Sequence, residues 1–171
     1  MYFSYTVIQS DTFSECAKQI EAFLPSDTQS IILLATSDNT WEIDNLNLWL
    51  KQFSRPVAGG LFPGVIAGDQ QYQRNTIVAL YSTHTLKKCL VQGLSKGESF
   101  INTQLSKYIG TQTEGKPYLV FLDGLSQNIE RFTDVFYRTM GERTATMDDG
   151  GGTLPFIQKP FVFTENGIVE D

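Results

Sequence analysis

"SIILLATS", residues 30 to 37, decides the architecture. Ile31, Ile32, Leu33, Leu34 and Ala35 follow one another with no polar interruption. A strand wet on one face would alternate, and the run is too short for a buried helix. It reads as a strand covered on both faces, which requires layers on both sides of a sheet.

Working outward, "YFSYTVI" (2–8) alternates as a strand should. "TFSECAKQIEAFLP" (12–25) then places Phe13, Cys16, Ala17, Ile20, Phe23 and Leu24 on one helical face, with Thr12 and Glu15 spaced as a capping box and Pro25 as the stop. Ile43, Leu46, Leu50 and Phe53 mark a second helix ending before Arg55-Pro56. "PVAGGLFPGVIAG" (56–68) reads as strand, Gly-Pro turn, strand. "RNTIVALYS" and "KKCLVQGL" flank "THT" as a hairpin. Ser95 and Glu98 form a second capping-box spacing, ahead of Phe100, Ile101, Leu105, Tyr108 and Ile109, with Gly110 as the C-terminal cap.

"PYLVFLDGLS" (117–126) is expected as a buried strand leaving the core at Asp123-Gly124. Ile129, Phe132, Phe136 and Met140 stripe a fourth helix ending at Gly141. "FIQKPFVFT" and "GIVE" meet at Glu165-Asn166-Gly167, and Asn-Gly is a strong hairpin signal. The expected fold is therefore α/β or α+β. It has mixed sheet of about nine strands and four flanking helices, and a four-layer αββα sandwich is one arrangement that fits.

At 171 residues the length suits one domain, 1–171, with its own core. A composition 41% hydrophobic and 19% charged is that of a globular chain. The net charge of −6 supplies no general field for a nucleic-acid backbone. The N-terminus lacks the basic start and apolar run of a signal peptide, and no stretch approaches the length of a membrane span. A cytoplasmic location is expected, with no nucleic acid and no membrane as partner. Cys16, on a helix stripe, and Cys89, in an apolar strand, read as free, buried thiols.

The chemistry-bearing residues gather in three glycine-containing stretches. "MDDGGGTLPF" (147–156) sets Asp148 and Asp149 against Gly150, Gly151 and Gly152, then Thr153. Bare backbone lets another group approach closely, and the carboxylates could take an ammonium group or a hard cation. Asp123 ends a strand at a turn into a helix, where ligands often dock, and Ser126 is the candidate N-cap of that helix. "GGLFPG" supplies Gly59, Gly60, Phe62 and Gly64, whose backbone N–H groups could hold a carboxylate. Phe62 suits either a lip or a core plug. His84, the only histidine, is expected at an exposed hairpin tip; ligation of a haem is its sharp alternative. No phosphate-loop, dinucleotide, serine-hydrolase or zinc-protease motif is present. A hydrolase built on Asp123, Ser126 or the Asp148–Asp149 pair lacks an identifiable partner base.

Together, "GGLFPGVIAG", "FLDGLSQNIERFTDVFYRTMG" and "GGGTLPFIQKPFVFTENGIVED" resemble the N-terminal domain of the FIST family, the F-box and intracellular signal transduction proteins. The resemblance spans nearly the whole chain and is clearest from Pro56 to Asp171. It implies a cytoplasmic, bacterial sensory domain that is not an enzyme. It implies a small-molecule ligand such as an amino acid, haem in some members, a C-terminal partner domain in the same chain and a signalling partner protein. Gly59, Gly60, Pro63 and Gly64 fall on the family's first glycine turn, and Asp123, Gly124, Leu125 and Ser126 on its Asp-Gly-Leu-Ser turn. Gly150 and Gly152 fall on a motif that usually reads Gly-Gly-Gly-Ala-Gly, where this chain carries Asp148 and Asp149 for the first two glycines and Gly151 for the alanine. The abrupt end at "GIVED" fits a domain cut from a longer protein.

These features support a sensor in which the three stretches form one pocket. There the glycines would hold a carboxylate while Asp123 or Asp149 takes the ammonium. The alternative is a docking module, without a small ligand, for a C-terminal domain or a signalling partner.

Overall fold

A computed structural model describes residues 3–109, 118–124, 126–140, 146–151 and 162–169. The chain divides into two compact units, 1–88 with 151–170 and 89–150 with 171. The first unit contains β1 (Ser4–Gln9), α1 (Phe13–Phe23), β2 (Ser30–Thr36), α2 (Ile43–Leu50), β3 (Val57–Phe62), β4 (Val65–Ala67), β5 (Gln70–Tyr72) and β6 (Thr76–Ser82). The second contains a 3-10 turn (Leu94–Lys96), α3 (Glu98–Ile109), β7 (Tyr118–Asp123), α4 (Ile129–Met140) and β8 (Thr146–Gly151), whose last glycine lies at the boundary. The chain then returns to the first unit as β9 (Val162–Thr164) and β10 (Gly167–Val169).

The result is a mixed fold of helices and sheet, as expected. Among the described residues the strands form one six-stranded sheet, β1-β6-β2-β3-β9-β10, and two ribbons, β4-β5 and β7-β8, rather than two large stacked sheets. β2 pairs parallel with β3 and antiparallel with β6, and six of its seven residues are buried. The uninterrupted apolar run thus lies deep within the sheet. α1 and α2 join consecutive strands of this unit and meet through an edge-to-face contact of Phe13 with Trp49, ring centroids 5.5 Å apart. From α1, Phe13, Cys16 and Ile20 are buried. Burial, assisted by the Glu15 carboxylate, pushes the Cys16 thiol up to about 11, leaving it an unreactive core group.

Three expectations change for reasons of pairing and capping. "KKCLVQGL" forms no strand, because β6 already has β1 on one side and β2 on the other, leaving no edge for a hairpin. Cys89 is consequently exposed rather than buried. β7 is only half-buried, with Leu119 exposed, because its partner among the described residues is β8 alone. Its Tyr118, Val120 and Leu122 pack one-sidedly on a cluster of Leu94, Ile101, Leu105, Phe132, Val135 and Phe136, the core of the second unit. Neither capping box closes. Thr12 occupies the N-cap of α1 without a side-chain bond, and Glu15 accepts instead from Gln19 at 3.1 Å. Ser95 lies in the 3-10 turn, and Gly97 provides the carbonyl for the first bond of α3, from Ile101 N–H. Gly110 and Gly141 lie outside the described residues.

The Asn-Gly hairpin forms as read: Thr164 pairs with Gly167 across the two-residue loop Glu165–Asn166. Within that loop Glu165 has a role no local reading shows. Its carboxylate accepts from Lys88 Nζ and, at 3.1 Å, from the backbone N–H of Val57 at the start of β3. Burial alone would raise this carboxyl, but the bonds from Lys88, the turn backbone and Val57 outweigh it and hold it below the usual glutamate range. A depressed folded pKa means stability that is present above the unfolded value and lost as pH falls through the folded one. Glu165→Gln should therefore be less stable than the parent at neutral pH, by on the order of 1–2 kcal/mol. The gap should close as pH drops below about 4.5, read by urea unfolding at several pH values. A gap independent of pH would show that the carboxylate charge does not matter.

Candidate functional site

The first glycine stretch is built into the sheet. Gly59 and Gly60 lie within β3, opposite Leu33 and Leu34 of β2 on one side and Phe163 and Val162 of β9 on the other. Their main-chain groups serve this pairing. Phe62 is 3% exposed, so of its two readings the core plug is the observed one. Gly64 sits in the turn to β4, where an added Cβ would lie 3.2 Å from the Tyr72 carbonyl oxygen. This first stretch belongs to the first unit.

Asp123 and Ser126 belong to the second unit and share one turn, closed by a 3.0 Å bond from Ser126 N–H to the Asp123 carbonyl. Ser126 is not the N-cap. The helix begins three residues later, at Ile129, and the Asn128 carbonyl accepts its first bond, from Phe132 N–H at 2.9 Å. Asn128 takes φ +65° and donates from Nδ2 to the Leu94 carbonyl at 3.2 Å, tying the start of α4 to the 3-10 turn. Asparagine tolerates this left-handed geometry better than most residues.

Asp148, Asp149, Gly150 and Gly151 lie in β8, paired with β7, instead of in the loop their composition suggests. Main-chain pairing is open to glycine as to any residue, so a neighbouring strand can impose extended structure on such a run. Gly152 and Thr153 lie outside the described residues. Asp123, Ser126, Asp148, Asp149 and Gly150 thus share one unit, while Gly59, Gly60, Phe62 and Gly64 belong to the other.

Within the second unit, an open depression of about 440 Å³ is lined by Ser126, Asn128, Ile129, Glu130, Arg131 and Asp134. Among these, Ser126 is buried, whereas Glu130, Arg131 and Asp134 are exposed. The Arg131 guanidinium is held loosely, 3.5 Å from Glu98, which makes its closer pair at 2.8 Å with Arg138. The depression thus presents one guanidinium and two carboxylates within a single turn and a half of helix. Sequence reading found Ser126 but missed Arg131 and Asp134. Their signal was the polar side of the α4 stripe, indistinguishable in sequence from any solvated helix face.

His84 is exposed; its backbone N–H donates to Ser82 Oγ at 3.1 Å and its carbonyl accepts from Ser30 Oγ at 3.1 Å. Among the described residues no group of three or more His, Cys, Asp or Glu is placed to hold a metal ion. Among them, too, no helix is long and apolar enough to cross a membrane. Compared with known proteins, the chain matches no family model, no curated protein and no solved structure.

Proposed function

We propose that the chain is a cytoplasmic sensory domain of bacterial signal transduction that binds a small zwitterion such as an amino acid at the α4 depression. The observation that carries this reading is the charge arrangement there. Arg131 offers a planar donor fork to a carboxylate, and Glu130 and Asp134 offer acceptors to an ammonium group. Ser126 adds a small polar group to the lining. The resemblance of the Asp123–Ser126 turn and the glycine stretches to the FIST N-terminal domain supports the sensory role. On this reading the protein is not an enzyme, and its signal passes to a C-terminal domain or a partner protein. The ligand would shift a conformational equilibrium only by as much as it prefers one of the two states.

The test is a thermal-shift screen of the chain against the twenty amino acids, followed by calorimetry on any hit. Ligand at a hundred times its dissociation constant should add about 2.7 kcal/mol. Arg131→Gln and Asp134→Asn should each weaken binding by roughly 10- to 100-fold, the worth of a charge-assisted hydrogen bond. Absence of any hit, or a hit indifferent to both substitutions, would sink the zwitterion site and leave domain docking as the function to pursue.

A further inference from the structure

The two edges of the six-stranded sheet are treated differently. The β10 edge is three residues long and is closed by α2: Asn47 Oδ1 accepts from the outward N–H of Ile168 at 3.0 Å. The β1 edge is six residues long, "SYTVIQ", with no charge, no proline and no bulge in its register with β6. Those are the devices by which proteins keep sheet edges from pairing. β1 has none of them, and Tyr5 and Phe3 stand exposed beside it at 55% and 37%.

The register identifies the groups that face outward. Ser10 N–H donates inward to the Asn75 carbonyl at 3.0 Å, continuing the β1–β6 ladder. Antiparallel alternation then turns Ser4, Thr6 and Ile8 toward β6, and the N–H and C=O of Tyr5, Val7 and Gln9 away from the sheet. Those three outward residues are self-complementary about Val7. In an antiparallel pairing of two copies, Val7 meets Val7 and Tyr5 meets Gln9, twice, each pair exchanging two bonds. At the ends Asp11 lies opposite Phe3, so no like charges are opposed.

We infer that β1 joins a second copy of this chain across a two-fold axis through Val7, extending the sheet across both protomers. A second copy is the occupant that fits this edge, because the strand is uncharged and its pairing with itself about Val7 opposes no like charges. With each copy carrying −6, the association should tighten as salt screens the approach.

Sedimentation equilibrium on the full chain tests this, with two variants chosen from the register. Val7→Pro removes an outward N–H that the sheet itself does not use, at an edge position where proline is tolerated. Val7→Lys keeps every backbone group but sets two ammonium groups face to face. The parent chain should be a dimer, and both variants should be monomers with the parent's circular dichroism. Should Val7→Pro fail to fold, Val7→Lys decides alone. A monomeric parent chain, or a folded variant that remains dimeric, would overturn the inference.

Discussion

Gly59→Ala should destabilise the first unit by about 4 kcal/mol or more, enough to leave it largely unfolded under ordinary conditions. Two independent costs add at this position. The backbone sits at φ +139°, a region that residues with a Cβ rarely adopt. The space is also closed: an added Cβ would lie 1.9 Å from the Leu33 carbonyl oxygen and 2.7 Å from its carbon. Those atoms are the backbone of β2, so relief requires separating β2 from β3 at the centre of the sheet. Gly68 is the control. It has φ +64° but nothing closer than 4.0 Å, so Gly68→Ala should cost only about 1 kcal/mol, the conformational share. Trp41 and Trp49, the only tryptophans, both lie in the first unit, so their fluorescence during urea unfolding reports on it. If the two variants prove equally stable, the close approach of β3 to β2 is wrong.

That glycine also shows how far sequence reading reaches. Its backbone reads in sequence as a candidate hold for a carboxylate, whereas the group that closes on it is a neighbouring strand. Composition cannot separate a ligand from a neighbouring strand, and here the neighbour is Leu33. Features fixed by near neighbours in the chain could be read directly: the β2 run, the α1 and α4 stripes, and the hairpin whose Gly167 takes φ +107°. Features fixed by competition for partners could not. Residues 87–94 have strand composition, yet β6 had no edge left for them. The aspartate–glycine run reads as a loop, yet β8 forms there beside β7. Arg131 and Asp134 carry no sequence mark beyond polarity, because their meaning depends on the shape of the surface around them.

The Asn75 network is a further case of long-range logic, and its disruption is the second large effect expected. Asn75 is 5% exposed, with φ +48°, at the entry to β6. Its Nδ2 donates to Asp11 Oδ1 at 2.6 Å, and its Oδ1 accepts from Thr40 N–H at 2.9 Å. Its own N–H and carbonyl engage the Asp38 carbonyl and Ser10 N–H, each at 3.0 Å. One side chain thus ties the end of β1 and the loop after β2 to the start of β6. Asn75→Gly keeps the backbone geometry and loses the side-chain bonds, at about 2 kcal/mol. Water can replace part of the loss, because Asp11 and Thr40 are themselves exposed. Asn75→Ala loses the same bonds and adds the left-handed penalty, about 3 kcal/mol in all. The order of the two is the informative result, since glycine is ordinarily the more damaging replacement within folded elements. If alanine proves equal to or better than glycine at this position, the left-handed backbone at Asn75 is excluded. If both cost less than about 0.5 kcal/mol, as an ordinary surface change would, the side chain does not hold these three segments together.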